Sequence, residues 1–80
     1  MHIPSVNFAL RRRTFEEGKV YHEVGFYEND LEEEEYYHPD NIHYCSLIMC
    51  LNADNPRMFM DVITGEIFEP HMGLYYYEVD

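Results

Sequence analysis

The chain has 80 residues, of which 46% are hydrophobic and 16% aromatic, and its formal net charge at pH 7 is −11. This apolar content excludes a disordered acidic tail, and the length predicts one small domain, residues 1–80, with a thin core. Because 16 acidic residues outnumber five basic ones, we expect the chain to repel nucleic acid and anionic membranes and to attract a basic protein surface.

The N-terminal third of the chain carries two segments with strand-like alternation. Residues 6–10 alternate apolar and polar side chains with the period two of a half-buried strand, and the arginines at 11–13 continue it. Residues 16–19 read as a turn, after which residues 20–26 alternate again. The sequence therefore predicts a hairpin over about residues 5–28.

The middle of the chain is strongly acidic, since residues 21–40 hold eight acids and no Lys or Arg. Asp30 and Glu33 resemble a capping box ahead of a helix of one or two turns, which Pro39 would end by His38. Like charges four residues apart weaken such a helix. A solvated acidic loop is the alternative.

A nearly continuous apolar run at residues 43–51 predicts a central strand, because turn formers at 52–56 follow it. The run contains both cysteines of the chain, Cys45 and Cys50. A separation of five residues places them on opposite faces of a strand, so we expect two unpaired thiols.

The C-terminal part predicts further short strands. Residues 57–62 and 66–68 flank a turn containing Gly65 and predict a hairpin, and residues 74–79 predict a last strand. The expected fold class is mainly β, or α+β with one short helix, arranged as a small antiparallel barrel or a curved sheet of five to six strands.

The cellular setting is predicted from two further features. No stretch approaches the roughly 20 apolar residues of a membrane span, and the N-terminus lacks the apolar run of a signal peptide. We therefore expect a cytoplasmic protein without membrane contact.

Histidine and cysteine residues raise the question of a metal or nucleophilic site. His43 and Cys45 lie two apart on one predicted strand face, and His22, His38 or His71 would be needed to complete a metal site. Core packing and ordinary surface histidines explain the same residues. We predict no metal ligand and no cofactor.

Carboxylates at Asp61, Glu66 and Glu69 flank the predicted hairpin turn and offer a general acid/base pair. The simpler interpretation is that they keep the hairpin soluble and discourage edge-to-edge association. No phosphate-binding loop or nucleophile elbow is present. We therefore predict no catalytic residue and no enzymatic activity.

Arginines at 11–13 suit phosphate or nucleotide binding, because planar guanidinium groups recognise such anions bidentately. The alternative is ion pairing with acids of the same chain or of a second copy. This second use is favoured because acids are in such excess.

Tyrosines supply candidate anchors for a partner, since Tyr is enriched at binding hot spots. Residues 75–77 are all Tyr, and strand alternation predicts that at least one of them is exposed. Tyr36, Tyr37 and Tyr44 are further candidates. An ordinary strand with an aromatic outer face is the alternative.

These features predict a non-enzymatic inhibitor or adaptor that binds a protein with a basic surface. Small size and high negative charge fit a virus- or phage-encoded antagonist of a nucleic-acid-binding host protein. The acids at 32–35 suggest a DNA mimic if Glu28, Asp30, Asp40, Asp54 and the hairpin acids join them on one face. The alternative is a ligand-sequestering or metal-binding small oligomer. The predicted partner-binding residues are Glu28, Asp30, Glu32, Glu33, Glu34, Glu35, Tyr36, Tyr37 and Asp40.

Overall fold

Antiparallel strands form one curved sheet in the computed structural model, which describes residues 6–79. The strands are β1 (Val20–Phe26), β2 (Ile42–Asn52), β3 (Met58–Asp61), β4 (Ile67–Phe68) and β5 (Tyr75–Glu78). Their spatial order is β4-β3-β2-β1-β5, so the sheet is open. The mainly β class is confirmed, as a curved sheet rather than a barrel. Residues 1–5 and 80 of the predicted domain lie outside the described residues.

The apolar run predicted as a central strand does occupy the centre of the sheet. β2 pairs with β1 on one side and with β3 on the other, so its backbone is paired along both edges. Ile48 and Cys50 are fully buried on one face, whereas Cys45 packs against the apolar cluster of the other face. Both thiols are free and face opposite sides, as the spacing predicts.

Apolar side chains cover both faces of the sheet. Face A is formed by Phe15, Tyr21, Ile48, Cys50, Phe59 and Tyr76. Face B is formed by Val6, Val24, Phe26, Ile42 and Tyr77. Because both faces are covered, Tyr76 and Tyr77 are buried and Tyr75 is half-buried. The prediction that at least one tyrosine of this triplet is exposed is therefore wrong.

The predicted N-terminal strand is absent from the described residues. Phe8–Leu10 form a 3₁₀ turn, and the Asn7 Oδ1 caps it by accepting a hydrogen bond from the Ala9 N–H at 3.0 Å. A short polar side chain that bonds its own backbone competes with strand pairing. The alternation of Val6 and Phe8 instead reflects their packing on face B.

The predicted hairpin over residues 5–28 is also wrong, because β1 pairs with β2 and β5. Ser5, where that hairpin was expected to begin, lies outside the described residues. The chain after the 3₁₀ turn runs beside β5, where Arg11 forms an isolated bridge with Tyr77. The Arg12 N–H donates to the Tyr76 carbonyl at 2.8 Å. The arginines are thereby placed at the outer edge of β5.

The β3–β4 hairpin is confirmed. Its turn is closed by the Gly65 N–H, which donates to the Asp61 carbonyl at 2.8 Å. Gly65 has φ +77°, a conformation that side chains other than Gly's rarely allow. The glycine at this turn, rather than the acids beside it, was therefore the sequence feature that predicted the turn.

Candidate functional site

The acidic segment, residues 28–40, connects β1 to β2 at one end of the sheet. It contains one helical turn, α1 (Glu33–Tyr36), and leads into a 3₁₀ turn, Pro39–Asn41. The N-cap of α1 is Glu32, which makes no side-chain capping hydrogen bond. The predicted capping box of Asp30 with Glu33 is therefore wrong, although the weak one-turn helix is present. α1 is too short to be stable by itself.

Asn41 fixes the end of the acidic segment to the sheet. Its buried amide Nδ2 donates to the Tyr36 carbonyl at 2.9 Å and to the Tyr27 carbonyl at 3.2 Å. Its Oδ1 accepts a hydrogen bond from the Asn29 Nδ2 at 3.0 Å. One side chain thus joins the start, the middle and the end of the connection between β1 and β2.

Aromatic packing holds α1 against face B. The Tyr36 and Tyr37 rings lie 5.6 and 5.4 Å from the Phe26 ring, centroid to centroid. Tyr37 also packs edge-on against Tyr75 at 5.4 Å, and a hydrogen bond with Tyr75 raises the Tyr37 pKa. Both tyrosines are half-buried. The structure therefore uses these two predicted partner anchors to hold the segment; their contact with a partner stays a prediction.

The carboxylates of the acidic segment all lie on its solvent side. The exposed acids are Glu28, Asp30, Glu32, Glu33, Glu34, Glu35 and Asp40. Among the described residues, none of them forms an ion pair with a Lys or Arg side chain; Asp40 has only the His38 Nδ1 at 3.6 Å. The Lys19 and Arg12 side chains instead bind Glu78, and the Lys19 ammonium lowers the Glu78 pKa. The segment is thus an exposed, unneutralised negative surface.

A groove opens on the acidic segment. Its volume is about 340 Å³, and its walls are Leu31, Glu35, His38, Asp40 and Asn41. Leu31 is 41% exposed and supplies an apolar wall beside two carboxylates. A long cationic side chain has matching chemistry, because its aliphatic stem packs on apolar surface while its charged head pairs with carboxylate.

His43 and Cys45, the residues considered for a metal or nucleophilic site, have different environments. His43 has no partner residue in the β1–β2 register, because the register shifts between Gly25 and Phe26. Its ring packs against Tyr27 with centroids 5.0 Å apart. Cys45 packs into face B, and burial raises its pKa, which disfavours the nucleophilic thiolate. Within residues 6–79, no three His, Cys, Asp or Glu side chains are arranged to hold a metal ion.

The hairpin carboxylates have different environments. The Asp61 Oδ1 accepts the Ile63 and Thr64 N–H groups at 2.8 and 3.0 Å, and its Oδ2 accepts the Ser46 hydroxyl at 3.0 Å. The Thr64 N–H bond is the main cause of a lowered Asp61 pKa. Glu66 and Glu69 are exposed. Asp61 therefore stabilises the turn, and Asp61 and Glu66 line the same small cleft, whose volume is about 80 Å³.

Asp54 lies at the opposite end of the sheet from the acidic segment. Asp54 follows Asn52, the last residue of β2, whereas the acidic segment precedes Ile42, the first. A strand rises about 3.4 Å per residue, so β2 holds the two apart by most of the long dimension of the molecule, 34 Å. The negative surface is therefore local to one end of the sheet.

Glu23 is a buried acid that sequence reasoning missed. It is 1% exposed, and its carboxylate accepts hydrogen bonds from the Tyr76 hydroxyl at 2.8 Å and the Tyr44 hydroxyl at 3.1 Å. Burial and this carboxylate together raise the Tyr76 pKa. The sequence does show an acid within a predicted strand and tyrosines in other predicted strands. Which tyrosines lie beside this acid, however, depends on the strand order. Tyr44, a predicted anchor for a partner, is also hydrogen-bonded to Glu23, because β2 pairs with β1.

The predicted arginines have three different environments. The Arg12 Nε donates to the Glu78 carboxylate at 2.8 Å, which is the expected pairing with an acid of the same chain. Arg11 stacks on the Tyr75 ring with its guanidinium carbon 4.6 Å from the centroid. Arg13 is exposed. Only one of the three therefore finds a carboxylate among the described residues.

Comparisons with family models, with curated proteins and with solved structures find no match to this chain. In the described part of the chain, no helix is long and apolar enough to cross a membrane.

Proposed function

We propose that this protein is a non-enzymatic inhibitor or adaptor whose acidic segment occupies a basic surface of a partner protein. The observation that carries the proposal is an exposed set of carboxylates, without Lys or Arg partners among residues 6–79, on a segment fixed to the sheet. An unneutralised cluster of like charges destabilises itself. A cationic partner relieves that repulsion.

Because the acidic segment is already held in place, less conformational entropy is lost when it binds a partner. Ordering a flexible loop at an interface opposes association. Here the Asn41 amide and the packing of Tyr36 and Tyr37 have already ordered the backbone. The carboxylates therefore present a preformed negative surface, which steers a basic partner and accelerates encounter.

The groove beside Leu31 gives the surface a specific feature. An arginine or lysine of the partner inserts there, with its stem on Leu31 and its charged head at Glu35 or Asp40. A basic surface that projects such side chains is what a protein uses to hold nucleic-acid phosphates. Occupying it excludes nucleic acid, and the partner is inhibited without any chemical step. We place this interaction in the cytoplasm, where thiols such as Cys45 and Cys50 stay reduced.

Binding of a labelled arginine-rich peptide, followed by fluorescence anisotropy, tests the proposal. The test variant replaces Glu32, Glu33, Glu34 and Glu35 by Gln. The control replaces four exposed acids elsewhere, Glu17, Asp54, Glu66 and Glu69, by their amides, so both variants have the same net charge. We expect the test variant to bind about tenfold more weakly and the control to stay within about threefold of the native chain.

Two outcomes contradict the proposal. Equal weakening by both variants would mean that net charge alone attracts the peptide. Binding that persists from about 0.1 M to about 1 M salt would mean that exposed carboxylates do not carry it, since the Debye length falls from about 10 to about 3 Å.

A second pair of variants tests the groove. Leu31→Ala removes its apolar wall, and Leu51→Ala removes a leucine of similar exposure, 39% against 41%, outside the groove. We expect only Leu31→Ala to weaken peptide binding. Equal effects would remove the groove from the proposal and leave the carboxylate surface.

A further inference from the structure

All four arginines of this acidic chain line one cleft at the outer edge of β5. The cleft has a volume of about 250 Å³, and its walls include Arg11, Arg12, Arg13 and Arg57. Residues 11–13 reach it because they run along β5, and Arg57 reaches it from the turn before β3. Residues far apart in sequence are thus gathered by the fold.

Two of the guanidinium groups are held in position by aromatic rings. The Arg11 guanidinium carbon lies 4.6 Å from the Tyr75 centroid, and that of Arg57 lies 4.9 Å from the Phe15 centroid. The Arg57 Nε also donates to the Ala53 carbonyl at 3.1 Å. Stacking uses the flat face of a guanidinium and leaves N–H donors in its plane for a ligand.

The cleft retains positive charge. Among the described residues, only Arg12 of the four pairs with a carboxylate, that of Glu78, which Lys19 also binds. The side chains of Arg11, Arg13 and Arg57 pair with none, although the chain has 16 acidic residues. Three unpaired guanidinium groups on one cleft form an anion-binding environment.

We propose that this arginine cleft binds a phosphate group, a function beyond the carboxylate surface of the acidic segment. A phosphate monoester carries a charge of about −1.5 to −2 and three acceptor oxygens, which suits several guanidinium groups better than a single carboxylate does. The cleft volume of about 250 Å³ accommodates a phosphate group and lies just below the roughly 300–1,000 Å³ of sites that enclose drug-sized ligands. Repulsion by distant acids is screened beyond about 8 Å at physiological salt.

Titration of the full chain with inorganic phosphate, followed by NMR of backbone amides and arginine side chains, tests this site. We expect saturable shifts confined to residues 11–13, 57 and 75. Affinity should rise as the pH increases through the second ionisation of inorganic phosphate, because the dianion binds guanidinium groups more strongly than the monoanion does. The absence of a saturable shift, or shifts centred elsewhere, would overturn the proposal.

Arg13→Gln is the cleanest variant, because Arg13 is exposed and makes no hydrogen bond or ion pair among the described residues. We expect it to weaken phosphate binding at least about threefold, with about tenfold for Arg57→Gln. Ile63→Glu changes the net charge by the same amount at an exposed position outside the cleft and should stay within about twofold. Equal weakening by Arg13→Gln and Ile63→Glu would overturn the proposal, since net charge would then explain the effect.

Adenosine monophosphate distinguishes the source of the phosphate. Binding about tenfold tighter than that of inorganic phosphate indicates a phosphate carried on a larger molecule. Equal affinities indicate free phosphate. Stronger binding of adenosine itself than of either phosphate compound would contradict a phosphate site.

Discussion

Asn41→Ala should loosen the acidic segment without changing its charge. The substitution removes three side-chain hydrogen bonds, to the Tyr27 and Tyr36 carbonyls and to Asn29, from a residue that is 6% exposed. At about 1 kcal/mol for each bond, we expect a loss of about 3 kcal/mol from the free energy of unfolding. A domain of this length has about 4–12 kcal/mol in total, so the loss corresponds to a Tm lower by about 12–24 °C.

Urea unfolding followed by circular dichroism measures this loss, with Asn29→Ala as the matched control. Asn29→Ala removes one of the three bonds and a weaker exposed contact, so we expect about 1 kcal/mol. Amide exchange at Glu35, Tyr36 and Tyr37, which donate within the helical turn, should accelerate in Asn41→Ala. If Asn41→Ala costs no more than Asn29→Ala, the segment is not held through the Asn41 amide and our reasoning fails.

Three further predictions follow from the buried polar groups. Tyr76→Phe leaves the Glu23 carboxylate without its 2.8 Å donor and should lower the free energy of unfolding in urea by about 1.5–3 kcal/mol. Tyr21→Phe removes a neutral hydrogen bond, which the Tyr21 hydroxyl accepts from the Glu16 N–H, and should cost less. Equal costs would contradict the role of Glu23. Burial lowers the His22 pKa from its ordinary 6.5, so the imidazole is protonated more readily in the unfolded chain than in the folded one. Folding stability is therefore lost as pH falls below about 6.5. His22→Leu should remove that part of the pH dependence, and a difference between the two chains that is constant from pH 5 to 8 would refute it. Burial raises the pKa of both thiols, and Cys50 is fully buried whereas Cys45 is half-buried. Mass spectrometry should therefore show that Cys45 is alkylated before Cys50. The reverse order would contradict the packing.

Elements with a strong local signal were predictable from the sequence. β2 was predictable because a strand that pairs on both edges and contributes to the apolar clusters of both faces needs a nearly continuous apolar run. The β3–β4 turn was predictable because its backbone needs Gly65 at positive φ. Both signals lie within the element itself.

Elements that depend on tertiary packing were not predictable. The alternation of Val6 and Phe8 has two explanations, a strand or a segment that packs over a sheet face, and only the strand order decides between them. The capping pattern matches at Asp30, but α1 begins after Glu32, which makes no capping hydrogen bond, because Tyr36 and Tyr37 pack against face B.

The candidate sites differ in the same way. The acidic segment was predictable because its residues are consecutive in the chain. The arginine cleft was not, because Arg57 meets residues 11–13 only after β5 has paired with β1. Glu23 and Tyr76 are likewise joined by that pairing.

The surface that binds a basic partner can be located directly by titrating the isotope-labelled chain with an arginine-rich peptide and recording backbone amide shifts. We expect the largest shifts in residues 28–41, with Leu31, Glu35 and Asp40 of the groove among them. Shifts that are largest around Asp54 or Glu66, or that are spread evenly over all exposed acids, would contradict it.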